Sequence, residues 1–390
     1  MNLEERIARR KRTTGERRLL RASDALNPVA HPVEPTGRGL VIEQLLDALE
    51  PAFDGELPED CYVWGPKGAG KSVVLRGLFD HLDRLVGQDP DRLHTATRRP
   101  PVDDLSFVYV DGRQAKTGFA LLHAVLDALT TDPVPKQGVG ANAMQRRLAD
   151  RLDPATSQVV VAVDHVGEPE TLSVETVCEQ FEPFGSSVSV VVAGRDSPAS
   201  DAVSCLDDDR TVEFSPYRRH TLIEVLTNRQ TDGLSSDAVS HEQLRALADW
   251  AGGDAHDALA ALFSGGLIAE QNGHDRIRQA DLDAGMDAVP RPSVSLGRVL
   301  ALPESRQQVL SGLIELPEAV RNSVRTAADG IVDDQIDLSR STIERVLYEL
   351  AEDGIVRRVK LDDASQIGRP PSRLEPRFPT LVFDRLISLG

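Results

Sequence analysis

The apolar positions of this chain come in short runs separated by longer amphipathic stretches. Residues 61–64, 105–111, 158–164, 188–193 and 211–214 read as strands, and some of these runs are almost continuously apolar. Between them the spacing is helical. Leu40 to Phe53 shows a helical period, and Leu75, Leu78, Phe79, Leu82 and Leu85 recur on one face. Further helices are expected after Gly112-Arg113-Gln114 through about Leu129, and over 144–152. Residues 87–104 and 131–143 read as loops, and Asn27 to Gly37, with three prolines, as an extended connection. Strands alternating with helices in this way predict an α/β fold with a parallel sheet covered on both faces.

The pattern changes after Val289-Pro290-Arg291-Pro292, a proline-bracketed linker. Helices are expected over Glu304 to Leu316, Ala319 to Ala328 and Ser339 to Asp353, with Ile343, Val346, Leu347 and Leu350 on one face of the last. Gly354 and a strand reaching Lys360 follow. Helix, turn, helix and strand is the layout of a winged helix-turn-helix. Residues 355–377 hold six basic side chains, with Gly368 to Ser372 as the expected wing tip.

Between the first strand and its helix lies Gly65-Pro66-Lys67-Gly68-Ala69-Gly70-Lys71-Ser72, which fits G-x-x-x-x-G-K-[ST], the phosphate-binding loop. Its glycines allow the tight backbone path that turns successive N–H groups toward anionic oxygens. Lys71 would reach the β- and γ-phosphates of ATP or ADP, and Ser72 would coordinate Mg²⁺. The following helix presents its positive end to the same phosphates. Gln158 to Asp164 is an apolar strand ending in a carboxylate, where open α/β sheets gather their ligands. Asp164 is the expected second Mg²⁺ partner, acting through water. His165 follows, a candidate water-orienting base, although a non-catalytic substitution is the favoured reading of the position. Glu168 is nearby but three positions further on.

Composition narrows the partners. The 390 residues carry 44 Lys and Arg against 62 Asp and Glu, a formal charge of −18, which argues against a generic polyanion binder. Only Lys11, Lys67, Lys71, Lys116, Lys136 and Lys360 are lysine, and this acidic, arginine-rich balance resembles proteins of salt-accumulating halophiles. Residues 1–26 form a basic tail, read as a solvated, partly helical segment or a contact for DNA or a partner. Neither a signal peptide nor a membrane-spanning run is expected. Cys61, Cys178 and Cys205 are far apart in sequence and suggest no disulfide framework, hence a reducing cytoplasm.

Several segments together resemble the archaeal origin-recognition and cell-division-cycle type of replication initiator, an AAA+ ATPase family. Phe214-Ser215-Pro216-Tyr217 with Leu222, Val225, Leu226 and Arg229 is similar to the signature that opens its helical lid. Val108 to Gln114 resembles its second strand. Gly252-Gly253-Asp254-Ala255-His256-Asp257-Ala258-Leu259 resembles its sensor 2 segment. The resemblance implies a nucleotide-binding core over 27–218, a lid over 219–289, a linker over 290–299 and a winged-helix domain over 300–390. It adds Tyr217, Arg229 and His256 to the nucleotide site.

The chain also departs from the family. His165 replaces the hydrolytic glutamate, Gly194-Arg195 stands where a polar sensor 1 residue is usual, and His256 replaces the sensor 2 arginine. Ser200 to Leu206 offers no arginine finger, and Arg195 and Arg210 flank it out of register. An arginine finger is worth about 10³–10⁵ in rate, so these losses imply nucleotide binding with little turnover. The resemblance further implies duplex DNA as partner, with a replicative helicase or initiator paralogues, and no membrane. Ser339, Arg340, Ser341, Thr342 and Arg345 would meet the major groove, with Arg369 and Arg373 at the wing. A nucleotide-regulated transcription factor or signalling switch built from the same parts is the alternative.

Overall fold

The computed structural model describes residues 19–32, 34–88, 104–154, 156–207, 209–332, 338–360 and 372–388. The basic side chains before Leu19, residues 89–103 of the expected loop and most of the expected wing tip, with Arg369, lie outside the described residues. Two compact units divide the chain, one of residues His31–Tyr217 and one that combines Met1–Ala30 with Arg218–Gly390.

The first unit contains α1 (Gly39–Phe53), β1 (Cys61–Trp64), α2 (Lys71–Gln88), β2 (Asp104–Asp111), α3 (Gly118–Ala128), α4 (Ala141–Arg151), β3 (Ser157–Asp164), α5 (Val174–Phe181), β4 (Val188–Ala193) and β5 (Thr211–Glu213). Its five-stranded sheet runs β2-β3-β4-β1-β5, and every pairing is parallel. Alternate residues of β3 point to opposite cores. Val159, Val161 and Val163 pack with Leu121, Leu122, Met144 and Phe181, whereas Val160 and Ala162 pack with Leu45, Leu75 and Phe79. Both faces are therefore dry, which is why the strand carries apolar residues without alternation. The register sets Asp111 against Asp164 at the carboxyl edge.

One sequence expectation fails in this unit. Cys178 of α5 and Cys205 form a disulfide, their Cα atoms 6.6 Å apart. The chain between them, a sequence separation of 27, folds through β4 and back to α5, so distance along the chain says nothing of their distance in space.

The second unit begins with apolar chain where a solvated tail is expected. Leu19, Leu20 and Leu26 are buried. Leu20 bridges to Leu234, and its N–H donates to Glu270 Oε1 at 3.0 Å. The N–H groups of Arg21 and Ala22 donate to the Gly233 carbonyl at 2.8 and 3.2 Å. The helices of this bundle are α6 (Arg219–Gly233), α7 (His241–Ala251), α8 (Ala255–Gln271) and α9 (Gln279–Asp287). α8 is buried from His256 to Gly266, as a central helix must be.

α10 (Leu296–Leu300) starts inside the expected linker, because Leu296 and Val299 are fully buried anchors. α11 (Glu304–Glu315) is followed by a 3-10 turn over Glu318–Asn322 and then α12 (Val324–Ile331). The single helix expected over 319–328 is divided because Ser323 starts a new one: its hydroxyl accepts from the Thr326 N–H, and the Thr326 hydroxyl reaches back to the Ser323 N–H. α13 (Arg340–Glu352), capped by Ser339, leads into β6 (Val356–Lys360), which pairs antiparallel with β7 (Ser372–Pro376) before α14 (Thr380–Ile387). Helices followed by a two-stranded ribbon give this segment the element order of a winged helix-turn-helix.

Candidate functional site

β1 ends at the loop between Trp64 and Lys71, and the backbone there is open only to glycine. Gly65, Gly68 and Gly70 have φ of 147°, 71° and 85°. A Cβ on Gly65 would collide with the Phe214 carbonyl, and one on Gly70 would stand 2.5 Å from the Tyr217 hydroxyl. Lys71 is buried at the start of α2, and its Nζ donates to the Gly65 and Pro66 carbonyl oxygens at 2.6 and 3.1 Å. Burial pushes its pKa down to about 8, while Asp164 pulls the other way.

β3 brings Asp164 to the same place. Its carboxylate is fully buried, takes the Tyr109 hydroxyl on Oδ2 at 2.9 Å and takes the His165 N–H on Oδ1 at 2.7 Å. Burial opposes its charge, yet His165, a hydrogen bond from Ser72 and the Lys71 ammonium hold the carboxyl below its usual range. A hydroxyl and a carboxylate thus meet beside a lysine and a glycine cradle. That donor set, all hard oxygens with one carboxylate, fits a Mg²⁺-bound polyphosphate. Pro66, Lys67 and Ala69 complete the loop.

His165 has φ 62°, a left-handed conformation rare for a non-glycine residue. One ring nitrogen, Nε2, is 3.4 Å from Ser72 Oγ and 3.6 Å from Asp164 Oδ2; the other, Nδ1, is 3.7 Å from Glu168 Oε1. Both nitrogens face protein groups. Glu168 is itself held: Arg113 donates Nε to Oε2 at 2.8 Å and Nη2 to Oε1 at 2.9 Å, and Arg195 Nη2 donates to Oε1 at 2.5 Å. Although burial opposes its charge, His165, Arg113 and Arg195 keep this carboxyl well below the ordinary carboxylate range. Arg210, on the far side of β1, pairs with Glu59 and lies 3.9 Å from Asp207.

Sequence reasoning missed two parts of this site. Arg113, Glu168 and Arg195 form one cluster, and although the sequence singles out Glu168 and Arg195 separately, nothing in it joins them to Arg113. Arg38 is the other. Its guanidinium lies 3.8 Å over the Tyr217 ring, and Nη2 donates to the Ser215 carbonyl at 2.9 Å. The stacked pair walls the loop at Gly70, with aromatic and guanidinium planes of the kind that accept a base.

The remaining expected nucleotide residues belong to the second unit and have partners within it. Arg229 Nη2 donates to the Asn27 and Ala30 carbonyl oxygens at 2.6 and 3.1 Å, and burial lowers its pKa. His256 is buried, accepts the Leu296 N–H on Nε2 at 2.9 Å and faces Asp257 with Nδ1 at 3.1 Å.

At the carboxyl-terminal end, the structure puts Ile343, Val346 and Leu347 of α13 in the core and leaves Arg345 exposed. Ser339 accepts the Thr342 N–H and lies 3.0 Å from Ser341 Oγ, so these hydroxyls serve the cap. The cations here have carboxylate neighbours. Arg340 Nε is 2.7 Å from Asp329 and 3.2 Å from Glu344; Arg345 pairs with Glu349 at 2.9 Å; Arg373 pairs with Glu318 and Glu375. On the exposed β6 ribbon, Arg358 lies 5.3 Å over the Tyr348 ring.

Comparison with known proteins adds the following. Residues 34–192 match the family described as AAA ATPase domain, and residues 223–287 match the Cdc6 AAA+ ATPase-type lid domain. ORC1-type DNA replication protein 1 of Sulfolobus acidocaldarius is 26% identical over 290 residues, covering 71% of this chain and 69% of the relative. The protein of the same description from Halobacterium salinarum is 26% identical over 263 residues, or 66% of this chain and 78% of the relative. The structure of the Aeropyrum pernix Orc1 protein in complex with DNA matches at TM-score 0.63 and 19% identity, over 96% of this chain and 98% of that one. Cdc6p from Pyrobaculum aerophilum matches at TM-score 0.54 and 19% identity, over 95% and 99%. At such identities the solved structures speak to fold alone.

Proposed function

Because this chain belongs to the archaeal ORC/Cdc6 family, we propose that it is an ATP- or ADP-binding, DNA-binding protein of the replication-initiator type with little or no ATP hydrolysis. The convergence of Lys71, Ser72 and Asp164 on a glycine-only loop carries the nucleotide part of this reading. In it, Lys71 neutralises phosphate oxygens, Ser72 and Asp164 hold Mg²⁺, and Arg38 and Tyr217 flank the base.

The low-turnover part rests on what surrounds His165 and Glu168. A general base needs a free acceptor aimed at the attacking water. His165 turns both nitrogens to protein groups, and Glu168 is bound by two guanidiniums that depress its basicity. Nucleotide would then act through its unequal affinity for two arrangements of the chain, since a ligand shifts an equilibrium only by that difference.

DNA contact is assigned to the carboxyl-terminal segment, through Ser339, Arg340, Ser341, Thr342 and Arg345 on α13, with Arg369 and Arg373 beside the wing. A relative named for DNA replication and a fold neighbour described in complex with DNA support this. A replicative helicase or initiator paralogue is the proposed protein partner, and the cytoplasm the proposed location. No helix among the described residues is long and apolar enough to cross a membrane.

Nucleotide content of the purified chain and its genomic occupancy test the proposal together. ADP or ATP should co-purify with wild type and be lost in Lys71→Ala. Occupancy should cluster at a replication origin; scattered promoter sites would instead favour a transcription regulator built on these parts.

A further inference from the structure

The Cys178–Cys205 pair closes a loop around β4, the middle strand of the sheet, yet that strand is held without it. β4 pairs with β3 on one side and β1 on the other. The chain beyond it returns to α5 through a 3-10 turn over Asp201–Val203, started by the Ser200 hydroxyl. Val203 and Leu206 then bury their side chains in the same core as Val177 and Phe181. These anchors persist when the sulfurs part. The bond adds a restraint and completes no core, so it can open in the folded protein.

The two sulfurs differ in access. Cys205 is exposed, whereas Cys178 is half-buried against the core. Thiol–disulfide exchange needs a thiolate to reach one of the sulfurs, and Cys205 offers the open approach. The remaining cysteine cannot supply that thiolate. Cys61 is 3% exposed and packs with Val63 and Phe79, on the opposite face of the sheet from Cys178. Burial pushes its thiol up to about 12, so it stays protonated and out of reach. The attacking thiol must come from solution.

We propose that Cys178–Cys205 is a reversible exchange site for small-molecule thiols, with Cys205 the sulfur attacked. An incoming thiolate bonds to Cys205 Sγ, and the S–S bond breaks with its electron pair leaving on Cys178 Sγ, which takes a proton. A second small thiolate attacks the sulfur of the first. Cys205 then departs as a thiolate and takes a proton, and the two small thiols leave as their own disulfide. One protein disulfide is reduced and two small thiols are oxidised; a small-molecule disulfide drives the reverse. Disulfides found inside reducing compartments are usually transient and redox-sensing, and the cytoplasm proposed for this chain is such a setting. There the poise of the small-thiol pool decides whether the chain leaving β4 is cross-linked to α5 or held by Val203 and Leu206 alone. The exchange does not depend on the nucleotide reading.

The test titrates the folded full chain with mixtures of reduced and oxidised glutathione and counts thiols before and after denaturation. Without denaturant, reduced glutathione should expose the thiols of Cys178 and Cys205, and oxidised glutathione should remove both again. Cys61 should react only once the chain is unfolded. The melting temperature should fall by roughly 5–10 °C on reduction and return on reoxidation, as expected when a closed loop loses its cross-link. Cys178→Ser should collect a glutathione on Cys205 as a lasting mixed disulfide, because no neighbouring thiol remains to expel it, and Cys205→Ser should label far more slowly. A bond that yields only after unfolding, or equal labelling of the two variants, overturns the proposal. So does a chain whose cysteines all stay reduced in oxidised glutathione.

Discussion

Arg113 meets Glu168 side on, with Nε to Oε2 at 2.8 Å and Nη2 to Oε1 at 2.9 Å, both side chains almost wholly buried. Parallel donors on a planar fork make this the strongest geometry an arginine and a carboxylate can take. The pair fixes the turn after β3, and with it His165.

Removing the charge on Glu168 should therefore cost stability. Glu168→Gln is expected to lose roughly 3 kcal/mol at neutral pH, as for other buried pairs deprived of one partner. The folded carboxyl is held below its ordinary value, so its stabilisation is complete above the unfolded value of about 4.3 and lost as pH falls below it. Denaturant melts at pH 7 and near pH 3 should show the gap between wild type and variant closing in acid. A gap that is the same at both pH values would exclude the ionised pair as its source.

Gly70→Ala should abolish nucleotide binding without unfolding the core. The added Cβ meets the Tyr217 hydroxyl at 2.5 Å in a residue whose φ is 85°. Strain of this kind costs about 1–3 kcal/mol. Near-native melting with lost ADP retention is the expected pair of results.

His165→Ala should barely alter the steady-state ATPase rate, which should itself be near background. Were the rate to fall a hundredfold, the contribution would match a general base, and His165 would have to turn one nitrogen toward water.

The arginines of the carboxyl-terminal segment lead to a graded expectation. Arg340→Ala should cost roughly 1–3 kcal/mol of DNA affinity and relax specificity if that side chain reads a guanine. Asp329→Asn should act oppositely, because Asp329 lies 2.7 Å from Arg340 and competes with DNA for it. Arg369→Ala should weaken all sequences alike and flatten the salt slope by about one unit. Binding titrations at several salt concentrations distinguish the three.

The loop, the strand ending in Asp164 and the buried face of α13 could be read from sequence because each is a local pattern. Neighbouring residues decide whether Val159 and Val160 are both buried, or whether Gly65 to Ser72 can wrap an anion. The Glu168 cluster is different. Arg113 lies 55 residues from Glu168 and Arg195 lies 27, and only the parallel register of β2, β3 and β4 brings them together. The Cys178–Cys205 pair and the Arg38–Tyr217 stack escaped for the same reason. The helix expected from Ala319 was misjudged locally: its apolar period continues through Ser323, but that serine gains more from capping than from lying within a helix.

Leu19, Leu20 and Leu26 find their cover only after the chain has passed Gly233, and Leu20 waits for a carboxylate 250 residues on. Residues 31–217 are thus an insertion within another folding unit. During synthesis that inserted core can assemble first, as units made early generally do, while its own predecessors remain unpaired. The earliest described residues would then be among the last to fold. A chain started at His31 would keep every group of the proposed nucleotide site, yet it would expose the surface at Gly233 of α6 that Leu26 covers and the surface at Gly266 of α8 that Leu20 covers.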